Sequence, residues 1–364
     1  MKNRFIKNNI VIKMAAGFIS AALILSGCAS SSDNTDSTEN ITADINIDED
    51  NTVEDDITEV NTIDNAPAGD EYVSVEVTFP VTLTDALGRE VTIESADRVA
   101  TLLGSFADMW YLAGGEVVAT ASDTWTNFDL GLDESVVNVG SILNPDLELL
   151  VAAEPDLVIA SAGNSAQIEL EDALTSTGIT VVYFEVSDFD DYKEVLGVMT
   201  DITGRKDLYK TYALDVEKDV QAQKERAAEA ASADGFEAPT VLFIRAAASS
   251  VKAKGSTGTV GGEILADIGT VNIADTDGTL LEDLSLEAIV AADPDYIFVT
   301  TQGEDTEAAL ANVEELLKSN PAWSSLTAVQ NGNYYEIDKS LYNSKPNARW
   351  AEAYKILVDI IYGE

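Results

Sequence analysis

LELLVAAEPDLVIA, residues 147–160, returns as LEAIVAADPDYIFV at residues 286–299. Seven of the fourteen positions are identical, at an offset of 139 residues. Both copies read L-E-x-x-V-A-A-[ED]-P-D and then an apolar run. Such a segment spells a short helix, a stop and a buried strand. Proline cannot extend the helix and pushes the residue before it out of the helical region. Pro-Asp then makes a turn. A chain carrying this unit twice is built from two halves of one plan. Glu148 and Glu287 occupy the same place in each copy, at the N-terminal end of the short helix. A carboxylate there suits the helix dipole, but Asp or Ser would serve equally well.

The neighbouring sequence carries the same grammar. RVATLL (98–103), EVVATA (116–121), DLVIA (156–160) and ITVVYF (179–184) have the β-branched, near-continuous apolar texture of buried strands. FADMWYLAG and AQIELEDALTSTG between them suit helices. After Pro239 come TVLFIR (240–245), GGEILADIG, VNIA (271–274), YIFVT (296–300), YYEID (334–338) and a final helix around 348–362. Strands alternating with helices in this way predict α/β halves, each with a parallel sheet covered on both faces. Between the halves, residues 205–231 are rich in helix formers and lack Gly and Pro, with Leu208, Tyr212, Val216 and Val220 at four-residue steps. They predict one helix of about 40 Å bridging the two halves.

The N-terminus is of another kind. Lys2, Arg4, Lys7 and Lys13 precede the apolar MAAGFISAALIL (14–25), and LSGC follows, ending at Cys28. Basic, apolar and small-residue regions in that order make a signal peptide, too short to span a bilayer. LSGC resembles the lipobox of bacterial lipoproteins, which implies that Cys28 is diacylated and anchors the chain. From Ala29 to about Thr78 the sequence is polar and acidic, with no Lys or Arg between Lys13 and Arg89. It predicts a disordered tether. The expected organisation is a leader (1–27), the tether (28–78), an α/β lobe (79–204), the helix (205–231) and a second α/β lobe (232–364).

Composition excludes much. The chain has 364 residues, with 21 Lys plus Arg against 65 Asp plus Glu, a net charge of −44. Such a surface repels nucleic acid. There is no histidine and one cysteine, so histidine-dependent triads, the usual zinc and haem ligation and an internal disulfide are all ruled out. No G-x-S-x-G elbow is present, and GSTGTVGGE (255–263) lacks a P-loop lysine–serine pair. No enzyme, resident cofactor or metal centre is expected.

From FPVTLTDALGREVTIESADRVATLL (79–103) through both repeats to residue 364, the chain resembles the periplasmic binding proteins with a single helical backbone. These are the substrate-binding proteins of ABC importers for iron–siderophores, haem and cobalamin. The TDxxGRxVxI opening is carried by Thr84, Asp85, Gly88, Arg89, Val91 and Ile93. The resemblance implies two Rossmann-like α/β lobes joined by one long helix, with a ligand cleft between them. It implies that Glu148 and Glu287, each seven residues before its proline, dock one per lobe onto an ABC permease dimer. The implied protein is a monomeric receptor, lipid-anchored on the extracytoplasmic face of the membrane, that captures a small-molecule metal chelate. A ferric siderophore is the expected cargo. Cobalamin, haem or a ligand-sensing role remain open.

Ligands bind beyond the carboxyl ends of strands in open parallel sheets. On that rule the first lobe offers Ser105, Phe106, Trp125 and Asn164. The second offers Arg245 at the end of TVLFIR, Lys252 and Lys254 on a following loop, and Tyr342, Lys345 and Arg349 from KSLYNSKPNARW. Arg245 is the sharpest candidate, because an arginine ending a buried strand must meet a carboxylate or a ligand. Convergence of Arg245, Lys252 and Lys345 would suit an anionic catecholate or carboxylate chelate.

Overall fold

The computed structural model describes residues 13–14 and 72–363, apart from 277, 283 and 304. The other leader residues, Cys28 and the tether through residue 71 lie outside the described residues. Lys13–Met14 forms a short strand antiparallel to Val81–Thr84. No helix among the described residues is long and apolar enough to cross a membrane.

Each lobe is built on a five-stranded sheet. In the first the order is Thr180–Phe184, Leu157–Ser161, Val99–Thr101, Val117–Thr120 and Val137–Asn138, all parallel. Every residue of Leu157–Ser161 is buried, which is why that strand reads as a continuous apolar run. The hairpin Val81–Thr84/Glu90–Ile93 sits at the sheet edge. Its opening motif has a structural role. Asp85 accepts from the Arg89 Nε at 2.9 Å, while Arg89 Nη2 also donates to the Val181 carbonyl at 3.0 Å.

In the second lobe Thr240–Ala247 pairs in parallel with Tyr296–Thr301 and Val271–Asn272, and Tyr334–Glu336 follows Tyr296–Thr301 in parallel. One strand departs from the expected pattern. Ser250–Lys254 folds back antiparallel on Thr240–Ala247 and forms an edge. Lys252 and Lys254 therefore lie on a strand rather than on the expected loop. The SVKAK alternation is short and charged, and a reading based on apolar runs passes over it.

The repeat explains itself in hydrogen bonds. Asp146 caps the helix Leu147–Ala152 by accepting from Glu148 N and Leu149 N, and Ser285 caps Leu286–Ala292 by accepting from Ala288 N. Glu154 and Asp293, each just before its proline, take left-handed φ values of 50° and 44°. The aspartate after the proline then ties its strand to the start of the neighbouring parallel strand, Val99–Thr101 in the first lobe and Thr240–Ala247 in the second. Asp156 accepts from Ser95 Oγ, Asp97 N and Arg98 N at 2.6, 3.0 and 3.1 Å. Asp295 accepts from Thr240 N and Oγ1 at 2.8 and 2.7 Å.

Helical segments Lys206–Tyr209, Lys210–Leu214 and Asp215–Ala231 follow one another between the lobes, the middle one a π-turn segment. Tyr192 of the first lobe donates to the Tyr212 carbonyl in this segment at 2.8 Å. Arg226–Asp359 (2.8 Å) and Lys224–Asp267 (2.9 Å) hold the same helix to the second lobe. Trp350–Tyr362 packs along it, and one apolar cluster runs from Val81 and Phe184 through Ala213 and Val220 to Phe243 and Ile361. The other face of each sheet has a core of its own.

The tether was expected to remain disordered to residue 78. Its last residues are instead held against the start of the long helix. Val75 N donates to the Gly204 carbonyl at 2.7 Å, Ser74 bridges Arg205, and the Tyr72 ring stacks on Tyr209. Gly204 has φ of 72°, and a Cβ there would sit 2.0 Å from the Val75 oxygen. Tyr72, Val73, Val75 and Val77 already break the acidic texture, whereas a boundary drawn on charge alone runs past them.

Candidate functional site

A cleft of about 160 Å³ opens between the lobes at the carboxyl ends of their strands. Glu185, Val186 and Ser187, which follow Thr180–Phe184, supply one wall. Phe243, Arg245, the Gly258–Val260 turn, Tyr342, Asn343 and Lys345 supply the other.

Arg245 projects from Thr240–Ala247 into this space, partly buried. Burial pulls its guanidinium below its ordinary value, with no carboxylate among the described residues offsetting the effect. Lys252 lies directly opposite Arg245 on the edge strand, and Lys254 is two residues further along. Side chains alternate along a strand, so all three share one face of the sheet. Burial, then Arg245, then Lys252 push the Lys254 ammonium down. Lys252 is exposed and donates to the Glu282 carbonyl at 3.3 Å.

Lys345 places its ammonium 5.5 Å from the centre of the Phe106 ring, within cation–π range. Burial depresses its pKa, against the opposing fields of Glu185, Asp123 and Asp191. Two side-chain oxygens of the wall, Thr259 Oγ1 and Asn343 Oδ1, are buried with no hydrogen-bond partner among the described residues. Thr259 precedes the helix Val260–Asp267, whose first-turn amides and positive dipole end lie at the cleft. Gly261 and Gly262 make that approach possible. A Cβ on Gly261 would meet the Phe243 ring at 2.4 Å, and one on Gly262 the Gly255 carbonyl oxygen at 2.1 Å.

The candidate residues are not all brought together. Arg245, Tyr342 and Lys345 line the cleft. Tyr342 is fully buried and donates its hydroxyl to the Ala353 carbonyl at 3.0 Å, so it offers ring surface. Ser105 and Phe106 are buried in the first turn of Gly104–Leu112; Phe106 packs edge-on against Phe184 and reaches the cleft only under Lys345. Asn164 caps Ser165–Ile168 and donates to the Ile142 carbonyl at 2.6 Å, which commits its amide to the fold. Arg349 is held by Glu352 through bonds of 2.7 and 2.9 Å and lies outside the cleft lining. Trp125 stands 43% exposed on the short helix Asp123–Asn127, which Asp123 ties to the Gly104 amide. Glu185, Ser187, Thr259 and Asn343 were missed from sequence. The glycine pair opening the helix at 260 was the available signal for Thr259; the other three carry none.

Glu148 and Glu287 are both exposed at the second position of their helices. In a parallel sheet a crossover helix runs back towards the amino ends of the strands, so its own N-terminus lies at their carboxyl ends. Both glutamates therefore stand towards the cleft end of their lobes. Leu143 and Leu149, 70% and 44% exposed, flank the first.

Residues 99–341 match the profile of the family described as periplasmic binding protein. A cobalamin-binding protein of Halobacterium salinarum is 28% identical over 294 residues, covering 76% of this chain and 74% of its own. The Fe(3+)-citrate-binding protein of Bacillus subtilis is 24% identical over 350 residues, covering 92% and 91%. Among solved structures, S. aureus SirA complexed with staphyloferrin B shares the fold with a TM-score of 0.59 at 22% identity, covering 77% of this chain and 97% of that one.

Proposed function

Because the chain belongs to the periplasmic binding protein family, the substrate-binding proteins of ABC importers, we propose that its cargo is an anionic iron chelate, a ferric siderophore. One observation carries this reading. In a chain of net charge −44, Arg245 and Lys345 both line the cleft, and Lys252 and Lys254, outside its lining, share the sheet face of Arg245. Partly burying a guanidinium with no carboxylate partner among the described residues is costly, a cost that an anionic ligand would relieve. Carboxylate or catecholate oxygens of a chelate would take the Arg245 fork and the Lys345 ammonium. The Thr259 hydroxyl and the helix amides at 260–262 would add neutral donors. The chelate brings its own iron ligands, so the protein need only recognise its outer oxygens. The 91% coverage of the Fe(3+)-citrate-binding relative supports the same class.

The exposed placement of the two glutamates supports a mode of delivery. The loaded receptor docks through Glu148 on one lobe and Glu287 on the other, each meeting a basic group on one half of a two-fold permease. Lipidation at Cys28 and the acidic tether hold it at the extracytoplasmic membrane face as a monomer. The test is titration of the protein with ferric citrate and a panel of ferric siderophores, read by tryptophan quenching, alongside an Arg245 variant. A second reading, a cobalamin carrier, draws on the Halobacterium salinarum relative. Saturable cobalamin binding that survives loss of Arg245 would favour it and overturn the iron-chelate reading.

A further inference from the structure

The last loop of the second lobe reaches into the first. Asn347 is completely buried and takes a left-handed φ of 51°, a conformation asparagine tolerates better than most residues. Its Nδ2 donates to the Ser105 carbonyl at 2.8 Å and to Asp108 Oδ2 at 2.7 Å, both on the first-lobe helix Gly104–Leu112. Its Oδ1 has no partner among the described residues. Around this contact Phe189 and Tyr192 of the first lobe meet the Trp350 ring at 5.7 and 6.4 Å.

The loop has two ends. Tyr342, Asn343 and Lys345 line the cleft, and Asn347 follows two residues later. Lys345 lies over Phe106, the residue after Ser105. A loop held at Asn347 therefore has its cleft-lining part fixed relative to the opposite lobe. We propose that Asn347 is a positioning residue: it pins the two lobes together and holds Lys345 in register with the cleft, without touching the ligand itself. The coupling to Lys345 rests on the reading of the cleft as the ligand site, whereas the pin does not.

The test uses the full chain with Asn347→Ala, Asn347→Gly and Asn347→Asp. Glycine keeps the backbone conformation and removes the amide, so it separates strain from hydrogen bonding. Hydrogen exchange without ligand is expected to quicken about tenfold in residues 104–112 and 342–350 for the alanine and glycine variants, the loss expected for one to two net hydrogen bonds. Amides in 157–161 and 296–301 should be unchanged. Ferric citrate affinity should fall about tenfold with them.

In Asn347→Asp the new carboxylate faces Asp108. Burial holds the Asp108 carboxyl above its ordinary value, against the Asn347 amide and Arg349, which draw it down; Tyr192, raised first by burial and then by Asp108, also faces it. Two carboxylates at this distance hold a shared proton as pH falls. Exchange protection and affinity, each relative to wild type, should therefore recover between pH 7.5 and pH 5. Exchange that stays within twofold of wild type, or that rises across both sheets alike, would overturn the pin. So would a pH-independent Asn347→Asp defect. Faster exchange with unchanged ferric citrate affinity would overturn the coupling to Lys345. A wild-type chain that does not bind ferric citrate would overturn that coupling too, while the exchange arm still decides the pin.

Discussion

Replacing Arg245 by methionine should make the empty protein more stable and the receptor worse. The two effects come from one cause. The guanidinium is partly withdrawn from water with no carboxylate among the described residues to compensate it. An unsatisfied buried polar group costs about 1–3 kcal/mol. Methionine ends short of the guanidinium but matches the aliphatic stem and keeps its packing. For a partly exposed side chain the lower end applies, so the variant should gain about 1 kcal/mol, a rise in Tm of about 2–3 °C for a body of this size. Binding moves the other way. A charge-assisted hydrogen bond lost from a ligand costs about 1.5–3 kcal/mol, or roughly 10- to 150-fold in Kd. The assay is differential scanning fluorimetry of the empty protein paired with tryptophan-quench titration against ferric citrate and ferric siderophores. Unchanged affinity would remove Arg245 from the ligand site. A lower Tm in the empty protein would refute the claim that the guanidinium has no partner.

Other outcomes are fixed by the same structure. Charge reversal of both exposed knobs, Glu148→Arg with Glu287→Arg, should abolish uptake in cells and leave ligand affinity in solution intact; normal uptake by that double variant would end the docking role. Glu263 accepts from Gly258 N at 3.0 Å, and burial, with Asp188, Asp267 and Asp191, holds its carboxyl above the ordinary range. Its folded form keeps the proton longer than its unfolded form, so stability is lost as pH rises through the raised value. Glu263→Gln should therefore raise Tm at pH 7 and leave it unchanged at pH 4; equal shifts at both would contradict the assignment. Asp295→Ala removes the acceptor for Thr240 N and Oγ1 and should cost about 1–3 kcal/mol by chemical denaturation. Glu287→Ala, in the same repeat but exposed, should stay within about 0.5 kcal/mol.

The parts of the fold legible in the sequence are those where local chemistry leaves one choice. The buried run at Leu157–Ser161 has no polar residue until Ser161, and Pro155 and Pro294 mark the stops in both copies of the repeat. The antiparallel strand Ser250–Lys254 was hidden because its pairing with Thr240–Ala247 is a tertiary choice. Arg245 was legible because a charge closing an apolar run is conspicuous. Asn164 looks the same in sequence whether it serves a ligand or the fold. The Ile142 carbonyl, 22 residues away, decides it. For Arg349 the deciding Glu352 lies three residues on, a local pair that the sequence did offer. Glu185 and Asn343 gain their meaning from the opposite wall of the cleft, which the order of residues does not reveal.

The apolar cluster that runs unbroken from Phe184 through Val220 to Phe243 has a mechanical corollary. Halves that share a single greasy interior cannot drift apart by thermal breathing without wetting it. In free solution such a body should therefore open little of its own accord, and prising its halves apart should cost about as much as wetting part of a domain core.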